Sequence, residues 1–227
     1  MTDFEFSIRT NLKHAWSLFT KHVAYFLLLA AVMMVINLFS DMHRFPLASV
    51  AGTLLALFWS YISLSSALAA VDGKDNMLAF DSLKLHFPTF RQYLLLFGVI
   101  LGGAVIILGG FILLIIPGIY FFVRLAFAQF AFIDKKEGVR ASLRSSWNLV
   151  KGDVFWTVLL GMMVVVFISA LALIFSPIVL VFTYPISILF IALLYRALTT
   201  HKAHDVAVVE QPQEIPPATP SPETEQA

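Results

Sequence analysis

YLLLFGVILGGAVIILGGFILLIIPGIYFFVRLAFAQFAFI, residues 93–133, carries a single charge, Arg124. As one α-helix this stretch would reach about 60 Å, twice the ~30 Å hydrocarbon layer of a bilayer. The chain must therefore turn back within it, between Gly109-Gly110 and Pro117-Gly118. Two spans are predicted, 93–110 and 111–133. Working outward, apolar runs of crossing length cover 22–40, ended by Ser40-Asp41, and 47–71, ended by Val71-Asp72-Gly73. Two more cover 154–175 and, after a reversal at Ser176-Pro177, 178–198. The fold class read from this pattern is an all-α integral membrane protein of six transmembrane helices. The first run begins near His22 and lacks a small-residue cleavage pattern, so it is expected to remain a span, not a signal peptide.

Composition agrees. Only 13% of the residues are charged, against about 25% in soluble domains, and 59% are hydrophobic. A net charge of +1 points to no nucleic-acid partner. The absence of cysteine excludes disulfides, thiolate metal sites and cysteine nucleophiles. Lysine and arginine favour the cytoplasmic side of short loops. Arg9, Lys13 and Lys21 precede span 1, Lys74, Lys84 and Arg91 precede span 3, and Lys135, Lys136, Arg140, Arg144 and Lys151 precede span 5. Lys202 adds to the same side, and Arg44 stands alone on the other. Both termini are expected in the cytoplasm, with the spans in a prokaryotic inner (plasma) membrane. Residues 203–227 hold five of the ten prolines and no large aromatic residue, and read as a disordered tail.

An internal repeat emerges when VRASLRSSWNLVKGDVFWTVLL, from Val139, is laid on IRTNLKHAWSLFTKHVAYFLLL, from Ile8. Arg9 falls on Arg140, Leu12 on Leu143, Trp16 on Trp147 and Leu18 on Leu149. A fainter third copy starts at Ala79, with Leu83, Phe87 and Phe90 in the apolar places. Spacings of four, four and three put the apolar residues on one helical face, with basic residues towards the other. This is the pattern of a helix lying in the headgroup layer. The predicted architecture is three parallel-repeat hairpins, each preceded by a cytoplasmic interfacial helix, the first within residues 1–21 and the membrane domain over 22–200.

No enzyme constellation is present, and no catalytic residue, metal site or cofactor is expected. No aspartate or glutamate lies within a span, so there is no intramembrane pair for acid–base work. His201 and His204, at i, i+3, lack a third ligand. The serines and tyrosine of span 2, Ser60, Tyr61, Ser63, Ser65 and Ser66, read as helix–helix hydrogen bonding. Arg124 is the exception to the apolar rule. A charge at mid-membrane costs about 2.5–3.5 kcal/mol even on insertion-derived scales. It lies ten residues before Asp134, roughly 15 Å from the end of its span. Three roles are open: a buried staple between helices, a contact for a ligand or lipid headgroup, or a snorkelling side chain. The expected partners are backbone carbonyls near Pro117-Gly118, where proline removes a donor, or a hydroxyl on another span. Asp134 and Asp81 are the candidate acids.

Pro117-Gly118-Ile119-Tyr120, Arg124, Phe127, Asp134, Ala141, Leu143, Ser146-Trp147 and Gly152 together resemble a broad six-span prokaryotic membrane family. It includes the membrane domain of some glycerophosphodiester phosphodiesterases and related uncharacterised membrane proteins. In that family the phosphodiesterase chemistry belongs to a separate soluble barrel, and only a tail follows span 6 here, so the resemblance implies no enzyme. The site residues expected from residues and resemblance are Arg124, Pro117, Gly118, Tyr120 and Asp134 as a ligand-binding or structural polar core. Trp16, Ser146, Trp147 and Gly152 belong to the interfacial helices. The expected function is a non-catalytic membrane protein that binds or helps to move a lipid-like or amphiphilic molecule. The alternative is a scaffold or regulatory subunit contacting a protein partner through the interfacial helices or the tail.

Overall fold

The computed structural model describes residues 8–40, 46–74, 86–152, 154–175 and 177–210. Among these no strand occurs. The helices are α1 (Ile8–Lys21), α2 (Val23–Ser40), α3 (Pro46–Val71), α4 (Phe90–Leu113), α5 (Ile115–Leu125), α6 (Ala128–Lys135), α7 (Val139–Leu149), α8 (Val154–Phe175) and α9 (Pro177–Glu210). Five stretches are long and apolar enough to cross a membrane: α3, α4, α5 with α6, α8 and α9. The α1–α2 pair, bent by 93°, makes a sixth candidate. The chain is an all-α, multi-pass membrane helix bundle.

Helix α9 lies at the centre, packing on α1, α2, α3 and α8. Its Leu189, Phe190, Ala192, Leu194 and Tyr195 are fully buried beside Phe26 of α2, Ile62 of α3 and Phe127. Hydrogen bonds tie α2 to α3: the Tyr25 and Ser66 hydroxyls are 2.8 Å apart, and Trp59 Nε1 donates to the Leu29 carbonyl at 2.8 Å. Each such bond contributes about 0.6 kcal/mol in a bilayer. Of the span-2 serines, Ser66 thus bonds across helices, whereas Ser60 and Ser65 donate to carbonyls of their own helix. Helix α4 sits on the rim, with Leu94, Phe97, Leu101, Val105, Leu108 and Ile112 exposed as a stripe of helical period. In a bilayer that stripe faces lipid.

The long apolar stretch reverses at one residue. Leu114 is extended (φ −167°, ψ 155°), its N–H bonds to the Gly110 carbonyl, and its own carbonyl accepts from Gly118. The predicted boundary between residues 110 and 111 is therefore replaced by one at Leu114, and Gly109-Gly110 stay helical. A Cβ on Gly110 would stand 3.0 Å from Gly118 Cα, and one on Gly118 would stand 2.5 Å from the Phe111 ring. The two glycines let α4 and α5 approach closely beside the turn. Pro117 sits in the first turn of α5, where the absent N–H costs little, so the proline does not break a span. The break lies instead at Ala126-Phe127, between α5 and α6.

Helix α9 also runs on to Glu210, taking in residues 203–210 that composition assigned to the tail. All five tail prolines lie beyond it, from Pro212 onward, so AHDVAVVE has nothing to stop the helix. Residues 211–227 lie outside the described residues, as do Asp81, Ala79 and Leu83. Phe87 belongs to no helix, preceding α4, where Gln92 Oε1 accepts from the Thr89 N–H at 2.9 Å.

Candidate functional site

The break between α5 and α6 is closed by a side chain from α7. Phe127 departs from helical geometry (φ −98°, ψ 6°), which leaves its N–H and the Arg124 carbonyl without their usual partners. The Ser146 hydroxyl accepts from the Phe127 N–H at 3.2 Å and donates to the Arg124 carbonyl at 2.8 Å. One hydroxyl thus replaces a missing rung of the helix, and its insertion into the ladder accounts for the break. Serine suits the task, being both donor and acceptor, and Ser146 is fully buried.

Arg124 faces the same helix. Its Nη1 donates to the Trp147 carbonyl at 3.0 Å, and its guanidinium carbon stands 4.9 Å from the Tyr120 ring and 5.0 Å from the Trp147 ring. The two rings meet edge-on, 5.8 Å apart. Cation–π contacts reach about 2 kcal/mol when desolvated, so one carbonyl and two aromatic faces hold the charge without a carboxylate. The partner comes from α7, not from the Pro117-Gly118 turn or a hydroxyl on a span. Trp147, expected at the lipid interface, instead roofs Arg124 and packs on Phe121. Trp16 is 54% exposed. At matching places Ala15 and Ser146, and Phe19 and Val150, are buried. Gly152 takes φ +63° in the turn into α8, a left-handed conformation that favours glycine.

Asp134 takes part in a different centre. Arg196 of α9 donates through Nε to Asp72 Oδ1 at 2.7 Å and through Nη2 to Asp72 Oδ2 and Asp134 Oδ1, each at 2.8 Å. The Tyr195 hydroxyl donates to Asp134 Oδ2 at 3.0 Å, and Lys74 lies 3.4 Å from Asp72. The ends of α3 and α6 are thereby clamped to the middle of α9 by one guanidinium. Asp72, Asp134 and Arg196 stand at equal sequence intervals, 72 to 134 and 134 to 196, each just after an apolar span or near its end. That spacing was a readable signal for Arg196, which sequence reasoning passed over because a charge near the end of a span is ordinary.

Between the helices lies a cavity of about 560 Å³, within the range of small-molecule sites. Its wall comprises Leu64, Phe122, Leu125, Phe130, Met162, Ile188 and other apolar side chains. Ser60, Gln129, Ser169, Thr183, Tyr184 and Ser187 supply polar groups, and among the described residues no charged one lines it. Leu125, Ala126 and Gln129 face this space, while Arg124 turns the other way, to α7. None of the predicted site residues lines the cavity: Ser60 reads in sequence only as a helix–helix contact, and Gln129, Ser169, Thr183, Tyr184 and Ser187 are single neutral polar residues that do not stand out in apolar runs. Among the described residues no three histidine, aspartate or glutamate side chains gather as a metal site. The chain matches no family model, no curated protein and no solved structure.

Proposed function

We propose that the protein is a non-catalytic component of a prokaryotic plasma membrane that binds, or helps to move, a lipid-like or amphiphilic molecule. The carrying observation is the 560 Å³ cavity, apolar with a few hydrogen-bonding groups and no charged residue among those described. Such a lining suits an alkyl or prenyl chain ending in an uncharged hydroxyl, ester or carbonyl, since an ion there would lack a counter-charge. Arg124 serves in this reading as a staple that holds the wall formed by α5 and α6. The three-hairpin repeat belongs to the same proposal. It is supported by the matching buried positions of α1 and α7 and by the equal spacing of Asp72, Asp134 and Arg196, whose side chains meet. So does the likeness to the six-span family.

Mass spectrometry of the protein purified in mild detergent tests the cavity. Wild type is expected to retain an amphiphile, and Ser169→Phe, which adds a ring to the cavity wall, is expected to release it while the melting temperature holds. Equal retention by Ser169→Phe and wild type would show that the molecule sits elsewhere.

The end of the bundle bearing Lys135 and Arg196 is proposed to face the cytoplasm, from the basic asymmetry of the loops. The chain lacks cysteine, so single probes report cleanly. His43→Cys is expected to react with an impermeant maleimide on intact cells, and Gly138→Cys and Ala218→Cys to stay unlabelled. Labelling at residue 138 would reverse the orientation.

A further inference from the structure

A second cavity, of about 510 Å³, opens where α6, α7 and α9 meet, away from the apolar one. Lys135 and Lys202 line it from opposite helices. Lys135 Nζ donates to Ser145 Oγ at 2.8 Å, and Lys202 Nζ donates to the Asn148 carbonyl at 3.0 Å. Neither ammonium forms an ion pair among the described residues. Lys151, in the connection from α7 to α8, adds positive charge near Lys202 without lining the cavity. The acid on the wall, Asp134, is already engaged by Arg196 and Tyr195. Two cations therefore face a concave space that also holds the hydroxyls of Ser145 and Thr199, and among the described residues only neutral acceptors hold their ammonium groups. Assembling like charges without an anion costs free energy that a bound anion would return.

We propose that this cavity binds a phosphate group, with Lys135 and Lys202 as its cationic ligands and the Ser145 hydroxyl as a donor. Lysine contacts phosphate as a point charge from several directions, and basic pockets between transmembrane helices suit anionic headgroups. The phosphate belongs to a lipid headgroup or to the free anion, and both are open to test. The site stands on different residues from the apolar cavity and does not depend on what that cavity holds.

The test uses the full chain in a neutral detergent, with thermal melting followed during titration. The probes are short-chain phosphatidylglycerol, phosphatidylcholine of the same chains, and inorganic phosphate. Wild type is expected to be stabilised saturably by phosphatidylglycerol and not by phosphatidylcholine, which assigns a phospholipid headgroup. Saturation by inorganic phosphate with no further gain from phosphatidylglycerol assigns the free anion. The double variant Lys135→Gln/Lys202→Gln is expected to weaken that binding at least tenfold. Without ligand it should melt at or above the wild-type temperature, because repulsion between the two ammonium groups is relieved. Arg9→Gln/Lys13→Gln, an equal loss of charge on α1, should leave the affinity within about twofold. Equal loss in both double variants would reduce the effect to general surface charge and overturn the site. So would wild type showing no saturable response to either phosphate probe.

Discussion

Replacing Arg196 by leucine is expected to destabilise the bundle strongly. The change leaves Asp72 and Asp134, which now share one guanidinium, facing each other without that counter-ion. Breaking a buried pair from one side costs about 3–5 kcal/mol. The two carboxylates keep 22% exposure, so the lower end, about 3 kcal/mol, is the expected loss. Lysine in its place keeps the charge but not the fork that bonds Asp72 through two nitrogens, and should recover only part. Adding Asp72→Asn and Asp134→Asn to Arg196→Leu should restore much of the loss, since the unpaired charges are then gone. Melting temperatures of the single and combined variants decide it. An Arg196→Leu protein as stable as wild type would mean that the clamp contributes nothing measurable.

The second large effect is expected at Ser146. Alanine there leaves the Phe127 N–H and the Arg124 carbonyl without a partner inside the bundle. Unpaired buried groups cost about 1–3 kcal/mol each, and a bilayer offers no water in exchange. Ser142 is the control. It lies on the same helix and is as fully buried, but its hydroxyl donates to the Gly138 carbonyl four residues back in its own helix. Ser142→Ala should therefore cost under about 1 kcal/mol, while Ser146→Ala loses several times as much. Hydrogen exchange at Phe127 provides a local readout, with faster exchange in Ser146→Ala and no change in Ser142→Ala. Equal losses in the two variants would show that Ser146 acts by packing alone.

The resemblance motif that runs from Arg124 to Ser146-Trp147 has a physical account in these contacts. Ser146 mends the α5–α6 break, and the Trp147 carbonyl and ring hold the guanidinium. The two ends of the motif are 22 and 23 residues apart in sequence and touch in space. Pro117-Gly118 serves the hairpin turn instead, and Asp134 serves the Arg196 clamp.

Helix positions were determined by the sequence alone, because the hydrocarbon layer demands long apolar runs whatever those runs pack against. The bounds of helices α2, α3 and α8 could be read to within a residue or two, and the multi-pass class follows from composition. Even Arg124 was marked out, since a charge is conspicuous among apolar neighbours. What its charge meets was decided by tertiary structure, through the return of α7 along α6. The same holds for the side of α4 left to lipid. Its residues are apolar all round, so no periodicity distinguishes Leu101 from Val99, of which the first is exposed and the second buried. The reversal was legible as lying between Gly109-Gly110 and Pro117-Gly118, but its exact place at Leu114 depended on Gly110 meeting Gly118 across the hairpin. Cavity and lysine cluster arise only where three or more helices converge, and side chains unremarkable one at a time become a site by being brought together.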